Sequence, residues 1–290
     1  MRFISKIDDQ EIIQDLKQTS ENVEGLLSQK KYDEHGEFTH TTAATHFGTW
    51  NKAKEAAGLQ TTGRGGPRKY KVNENFFKEL TADSVYTIGY ILADGCIHSS
   101  VLKFECADKD ILKQIKTAMS AQQPIRKVNR EEHWQDYWRL RIYSKTIVDS
   151  LSERYGIGPA KTRSLPYPSM PDDLLAHFVR GYFDGDGSVW KRKQDNKVIV
   201  AFSTSTKSFL PQLSDQLAES TEMRPGSFNC YYHDDESLRT CHLTYSQGDA
   251  ILLYDFMYGA KGIFSNRKKQ KFDQAMQSRD KIHRPRYNMS

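Results

Sequence analysis

Long apolar runs are missing from this 290-residue sequence. Nothing in it approaches the roughly 20 consecutive apolar residues that a membrane-crossing helix needs, so no membrane partner is expected. The opening stretch MRFISKIDDQEIIQDL lacks the apolar centre of a signal peptide. Its early acids argue against an organelle transit peptide. A soluble, cytoplasmic protein is the expectation, with an organelle left open. Cysteine is scarce: Cys96, Cys106, Cys230 and Cys241, with no C-x-x-C pair and no histidine at zinc spacing. That argues against a zinc site or a disulfide framework. Cys230 and Cys241 stand where a hairpin could set them face to face, but reduced, buried thiols are the expectation. Neither sign of charge dominates, with 42 basic against 37 acidic residues and a net charge of +5.

Where the charge sits matters more than its sum. GRGGPRKYK carries Arg64, Arg68, Lys69 and Lys71 with no acid. The C-terminal stretch carries nine cations from Lys261 to Arg286 against Asp273 and Asp280. Local patches of this kind suit a polyanion.

Residues 1–62 read as a small all-α domain. Apolar Ile12, Ile13, Leu16, Val23, Leu26 and Leu27 recur near helical spacing in one long stretch, and a short second helix through NKAKEAAG closes at Gly58. Residues 63–75 form a basic linker rich in Gly. From residue 76 the pattern repeats. A first half over 76–158 and a second over 172–280 each read as αββαββα, joined by a Pro-punctuated connector at 159–171 and followed by a basic tail, 281–290. The fold class is therefore α+β, a pseudo-symmetric duplication with two antiparallel sheets, behind a helical N-terminal domain.

Two stretches carry the chemistry. TIGYILADGCI (87–97) and FVRGYFDGDGSVW (178–190) each read as a helix ending in Asp-Gly, with Asp94 and Asp186 at matching positions. Gly89 and Ala93 share one helix face, and Gly181 and Gly185 share the other. Faces stripped of side-chain bulk let two backbones approach closely, leaving Tyr90, Ile91, Tyr182 and Phe183 for each half's own core. Gly95 and Gly187 suit the left-handed conformation that ends a helix. An Asp at a helix C-terminus faces the negative end of the dipole. Two such ends side by side add like-charge repulsion, which a cation relieves. Hard divalent ions take carboxylate and carbonyl oxygens, so Asp94 and Asp186, with the backbones of Gly95 and Gly187, are the candidate metal site, for Mg²⁺ or Mn²⁺. Metal-assisted phosphodiester cleavage is the matching chemistry.

IGYILADG and RGYFDGDG resemble the paired signature of the LAGLIDADG homing endonucleases in their single-chain, two-motif form, over roughly residues 76–280. The resemblance implies two saddle-shaped sheets seated on double-stranded DNA. It also implies motif helices at the interface between halves, Asp94 and Asp186 on divalent metal, and a double-strand break with short 3′ overhangs. The first motif has Leu92 where the second has Asp184, which leaves Asp184 a neighbour of unassigned role. The family's basic residues near the scissile phosphates correspond best to Lys161 and Lys268, with Lys261 and Lys269 as rivals. THFGTWNKAKEAAGLQT resembles the helical repeat found beside homing endonucleases. It implies a helix-turn-helix-like DNA-binding module with Phe47 and Trp50 in its core and Asn51, Lys52 and Lys54 exposed.

Strand alternation sorts the DNA-facing candidates. Arg139, Arg141 and Tyr143 oppose Trp138, Leu140 and Ile142. Arg126 alternates with Lys127 and Asn129, and either set could face out. Lys191 and Lys193 alternate with Trp190 and Arg192, and Asn229, Tyr231 and His233 oppose Phe228, Cys230 and Tyr232. Arg68, Lys69 and Lys71 of the linker complete the set. Such residues read base edges or hold phosphate. Because the halves differ, the target should be long and non-palindromic, read by a monomer, nucleoid-associated if the source is prokaryotic. The competing reading is a non-cutting nucleic-acid binder on the same fold, either a transcription regulator or an intron-RNA maturase with host intron RNA as its partner.

Overall fold

The computed structural model describes residues 7–61, 70–128, 136–159 and 165–280. The chain divides into two compact units, Met1–Lys69 and Tyr70–Ser290. No described helix is long and apolar enough to cross a membrane.

The described residues of the first unit form four short helices: α1 (Asp9–Asn22), α2 (Gln29–His35), α3 (His40–Phe47) and α4 (Trp50–Ala56). Each begins at a polar side chain (Asp8, Ser28, Thr39, Thr49) that accepts a backbone N–H of the first turn. The long first helix expected from periodicity stops at Asn22. Val23 turns extended and Gly25 takes a φ of +73°, so Leu26 and Leu27 belong to the connection. Ile12, Leu16, Leu27, Tyr32, Ala43, Ala53 and Ala57 make the core, with Phe47 and Trp50 packed on it. Lys54, expected on the surface, is buried, and its Nζ donates to the Leu27 carbonyl at 2.9 Å. Burial lowers its pKa.

Asp15 ties this unit together. Its carboxylate accepts from Tyr32 Oη at 2.6 Å, the Glu37 N–H at 3.0 Å, the Phe38 N–H at 3.2 Å and Thr19 Oγ1 at 3.3 Å. Asp15→Ala strands these donors, with an expected cost of about 2–3 kcal/mol. Hydrogen exchange should show protection lost across α1–α4 and kept beyond residue 70.

The second unit confirms the duplication. The first half runs α5 (Ala82–Asp94), β1 (Gly95–His98), β2 (Val101–Cys106), α6 (Lys109–Ala118), β3 (Arg126–Val128), β4 (Tyr137–Tyr143) and α7 (Lys145–Tyr155). The second half repeats the order as α8 (Asp172–Asp186), β5 (Gly187–Lys191), β6 (Val198–Thr204), α9 (Phe209–Ser220), β7 (Ser227–Tyr232), β8 (Leu238–Ser246) and α10 (Gly248–Gly259). A last helix, α11 (Asn266–Asp280), follows. Each half builds one antiparallel four-stranded sheet, in the orders β1-β2-β4-β3 and β5-β6-β8-β7. The inward faces (Leu102, Phe104, Leu140 and Ile142 in one, Val200, Phe202, Leu243 and Tyr245 in the other) join the helices in one core.

Cys230 and Cys241 lie directly opposite each other across β7 and β8, and their sulfurs are bonded at 2.10 Å. This corrects the expectation of two reduced thiols: cross-strand pairing removes the separation that would keep them apart. Cys96 and Cys106 are free.

Candidate functional site

The two motif helices meet through their smallest residues. A Cβ on Gly181 would lie 2.0 Å from the Tyr86 carbonyl oxygen, and one on Gly89 2.2 Å from that of Phe178. A Cβ on Gly185 would lie 2.3 Å from the Ala93 methyl. Backbones this close tolerate only hydrogen at those positions. Tyr90 and Tyr182 turn into their own halves, against Phe104 and Phe202 at 6.2 Å between ring centroids in each case.

Both helices end at their aspartates, and a strand starts at the next residue. Gly95 and Gly187 are needed there for a reason other than the left-handed turn expected. Both are extended, with φ of −79° and −78°. A Cβ would instead strike Ile91 Cα at 2.7 Å in one half and the Phe183 ring at 2.1 Å in the other. The glycines let each strand leave tightly over the last helical turn.

This double exit brings the two carboxylates to one place. Asp94 and Asp186 line a single cavity of about 230 Å³, together with Leu92, Ala93, Gly95, Leu165, Tyr182, Thr204 and Ser205. The polar side chains among these residues are two carboxylates, two aliphatic hydroxyls and Tyr182, whose Oη donates to the Ser203 carbonyl at 2.8 Å. That donor set fits a hard divalent cation, which takes one or two protein carboxylates and leaves other positions to water or phosphate. Among the described residues no group of three His, Cys, Asp or Glu side chains forms a denser metal cage. Gly187 does not line this cavity, and its carbonyl accepts from Lys268 Nζ at 2.7 Å.

Lys268 occupies an unexpected position. It is buried, and its Nζ also donates to the carbonyls of Phe183 at 2.6 Å and Gly185 at 2.8 Å. An ammonium has three N–H donors, and all three are spent on the C-terminus of α8. Burial lowers its pKa to about 8, while Asp184, Asp186 and Asp94 pull the other way. A lysine fixed like this holds the Asp186 turn in place and neutralises the helix end. Of the rivals, Lys269 pairs with Asp273 at 3.0 Å and Lys261 is exposed. Lys161 lies outside the described residues.

Asp184 also finds its place. Nearly fully buried, its Oδ2 accepts from Tyr86 Oη and from the Ser265 N–H, both at 2.7 Å. Burial raises its pKa to about 6, against the Tyr86 and Ser265 hydrogen bonds and the nearby Lys268 and Arg180 cations. Ser265 Oγ in turn donates to Asp108 of the first half at 2.6 Å, and Gln114 Nε2 donates to the Phe264 carbonyl at 3.0 Å. Arg180, fully buried, donates to the Met257 and Ala260 carbonyls and meets His177 Nδ1 at 2.9 Å. Asp184 is thus a structural acid between the halves, absent from the lining of the metal-type cavity. Tyr86→Phe removes one of its two donors. The expected cost is about 1–3 kcal/mol, read as a lower denaturation midpoint with unchanged slope.

The sheet register settles which strand residues face outward. Arg126 pairs with Arg139 and Arg139 with Glu105, so these share the face that carries Arg141 and the half-exposed Tyr143. Lys127 pairs with Trp138 on the other side and bridges to Asp136 at 2.6 Å. Asn229 and Tyr231 face outward opposite His242 and Thr240, and His233 follows in the turn. Lys191 departs from expectation. It shares the helix-facing side with Val189, and the outward residues of β5 are Ser188 and Trp190. The strand begins at a buried glycine, which sets the phase opposite to the one assumed. Lys193 lies past the strand end. Lys71 is exposed, with its N–H on Gln122 Oε1 at 3.1 Å, while Arg68, Lys69 and Asn129 fall outside the described residues.

Residues 7–60 match the family profile described as homing endonuclease associated repeat, and residues 173–220 match that of the LAGLIDADG-like domain. No curated protein matches the chain. Among solved structures, the homing endonuclease I-WcaI bound to its DNA recognition sequence is 16% identical, covering 76% of this chain and 96% of its own, with a TM-score of 0.46. Full-length DUF199/WhiA from Thermatoga maritima is 14% identical, over 71% and 65% of the two chains, with a TM-score of 0.43. I-DmoI in complex with DNA and Ca is 15% identical, over 64% and 92%, with a TM-score of 0.42. Two stretches of the chain are therefore similar to known families: 7–60 to the homing endonuclease associated repeat and 173–220 to the LAGLIDADG-like domain.

Proposed function

We propose that this protein is a site-specific DNA endonuclease that makes a divalent-metal-dependent double-strand break with short 3′ overhangs in a long, non-palindromic target. The observation that carries the proposal is the cavity shared by Asp94 and Asp186, each the last residue of a motif helix. Those two carboxylates would hold Mg²⁺ or Mn²⁺, with the Gly95 backbone beside them. The ion supplies charge stabilisation at the phosphate and a more acidic water. The protein's own share is placement. The Gly89, Gly181 and Gly185 contacts fix the spacing of the helix ends, and Lys268 fixes the turn that presents Asp186. The outward sheet faces supply duplex contacts, and the N-terminal helical unit is a second DNA-binding module in this reading.

The test is to incubate the full chain with a fragmented genomic DNA library and Mg²⁺ and to sequence the new ends. Discrete cut sites with short 3′ overhangs are expected. Asp94→Asn and Asp186→Asn should each abolish cutting while retaining the same DNA fragments on a filter. Absence of cutting by wild type, or cutting by both variants at the wild-type rate, would overturn the proposal. Retention without cutting by wild type would favour the non-cutting binder.

A further inference from the structure

The outward faces of the two sheets differ in kind. On the first, Lys103, Arg126, Arg139 and Arg141 share one face through the paired positions Arg126–Arg139 and Lys103–Arg141, and Glu105 is the single acid among them. Glu105 is bonded to Arg139 Nε and lies 3.3 Å from Lys103, so it holds these long side chains in place. The three arginines also line a cavity of about 370 Å³ with Tyr70, Gln123 and Tyr143. On the second sheet the outward paired positions of β7 and β8 are Ser227, Asn229, Tyr231, Thr240, His242 and Thr244. β5 adds Ser188 and the exposed Trp190, while Ile199 and Ala201 of β6 on the same side are buried. Among the described residues of that face no Lys, Arg, Asp or Glu stands at a paired position, and Arg239 lies at the bulge near the strand end.

Chemistry assigns different DNA to the two faces. Arginine forms its best base contact, a bidentate one, with guanine O6 and N7. Asparagine does so with adenine, and methyl-bearing or apolar side chains suit the thymine methyl. Cations on phosphate also release counterions, each adding about 0.9 to the salt slope of binding. Resting on the DNA-binding part of the function proposed above, we infer that the two sheets divide the target unequally. The first sheet takes a guanine-rich half-site and supplies most of the ionic affinity. The second takes an A·T-rich half-site, read through Asn229, Tyr231 and apolar contact, with little dependence on salt.

A randomised duplex library, bound by the full chain in EDTA so that nothing is cut, tests this by rounds of selection and sequencing. The enriched site should have one guanine-rich and one A·T-rich half. Arg126→Ala and Arg141→Ala should each relax guanine preference in the first half by about 5- to 150-fold per base and lower the salt slope by about 1. Asn229→Ala should relax adenine preference in the other half and leave the salt slope unchanged. All three residues sit on the outward faces, and unchanged unfolding midpoints confirm that the variants are folded. A site without this split, arginine variants that alter both halves alike, or an Asn229→Ala variant that lowers the salt slope as much as Arg141→Ala each overturns the inference. Those results leave the endonuclease proposal standing. Failure to retain any duplex overturns both.

Discussion

Lys268→Met is expected to lower the stability of the second unit by about 3–5 kcal/mol and, under the proposed endonuclease function, to abolish cutting. Three carbonyls at the end of α8 lose the ammonium they share, and a methionine offers them no donor; the Phe183 carbonyl keeps a second one, the Gly187 N–H. The nearby Asp184 carboxylate, itself buried, loses a compensating cation as well. Sparing the ammonium its own desolvation offsets part of the loss, but removing one member of a buried charged set is generally the costlier change. Lys269→Met is the control. Its ion pair with Asp273 is half-exposed, so a change within about 1 kcal/mol is expected. Thermal unfolding of both variants beside wild type makes the measurement. Equal midpoints for the two would show that the α8 cap contributes nothing.

Gly181→Ala is expected to be nearly as damaging. The added methyl would sit 2.0 Å from the Tyr86 carbonyl oxygen and 2.9 Å from its carbon. Those are backbone atoms of the partner helix, so no side chain can swing aside, and the helices themselves must part. Overpacking of this kind costs about 1–3 kcal/mol, and more where the obstacle is rigid. At about 2–4 °C per kcal/mol for a unit of this size, the midpoint should fall by roughly 10 °C. Because the same contact spaces Asp94 from Asp186, cutting should fall further than stability does. Gly248→Ala is the matched control, since a Cβ there meets nothing within 4 Å. A Gly181→Ala midpoint indistinguishable from that of Gly248→Ala would refute the close-packing account.

The small residues of the motif helices were readable from sequence because a helix repeats every 3.6 residues and places positions four apart on one face. The doubled αββαββα order was readable for the same reason, as alternation and helical periodicity succeed each other twice. Legibility ended where a contact depends on elements distant in the chain. Lys268 reads as one more surface cation among the five of α11, and only the packing of α11 against the second motif turns it inward. Lys54 was misread likewise, because its carbonyl partner at Leu27 lies in a connection that periodicity had assigned to a helix. Lys191 shows a third limit. Alternation gives the period of a strand, but its phase depends on where the strand starts, here at Gly187 directly under the helix end. Gly95 and Gly187 were recognised as necessary for the wrong reason, since sequence reveals that a side chain is absent but not which atoms need the space.

The Tyr86–Asp184 hydrogen bond has a bearing on how the duplicated gene could be taken apart. With Gly89 matched to Gly181, the counterpart of Tyr86 in the second motif is Phe178, and the counterpart of Asp184 in the first is Leu92. One side of the pseudo-twofold axis therefore holds a polar pair where the other holds two apolar residues, all four buried. Two copies of the second half, paired as a homodimer, would bury two carboxylates against phenylalanine. Two copies of the first would bury two tyrosine hydroxyls against leucine. Each half is thus complementary to the other and disfavours pairing with itself, although Asp184 would keep its Ser265 N–H, so exchange between chains should favour the mixed pair.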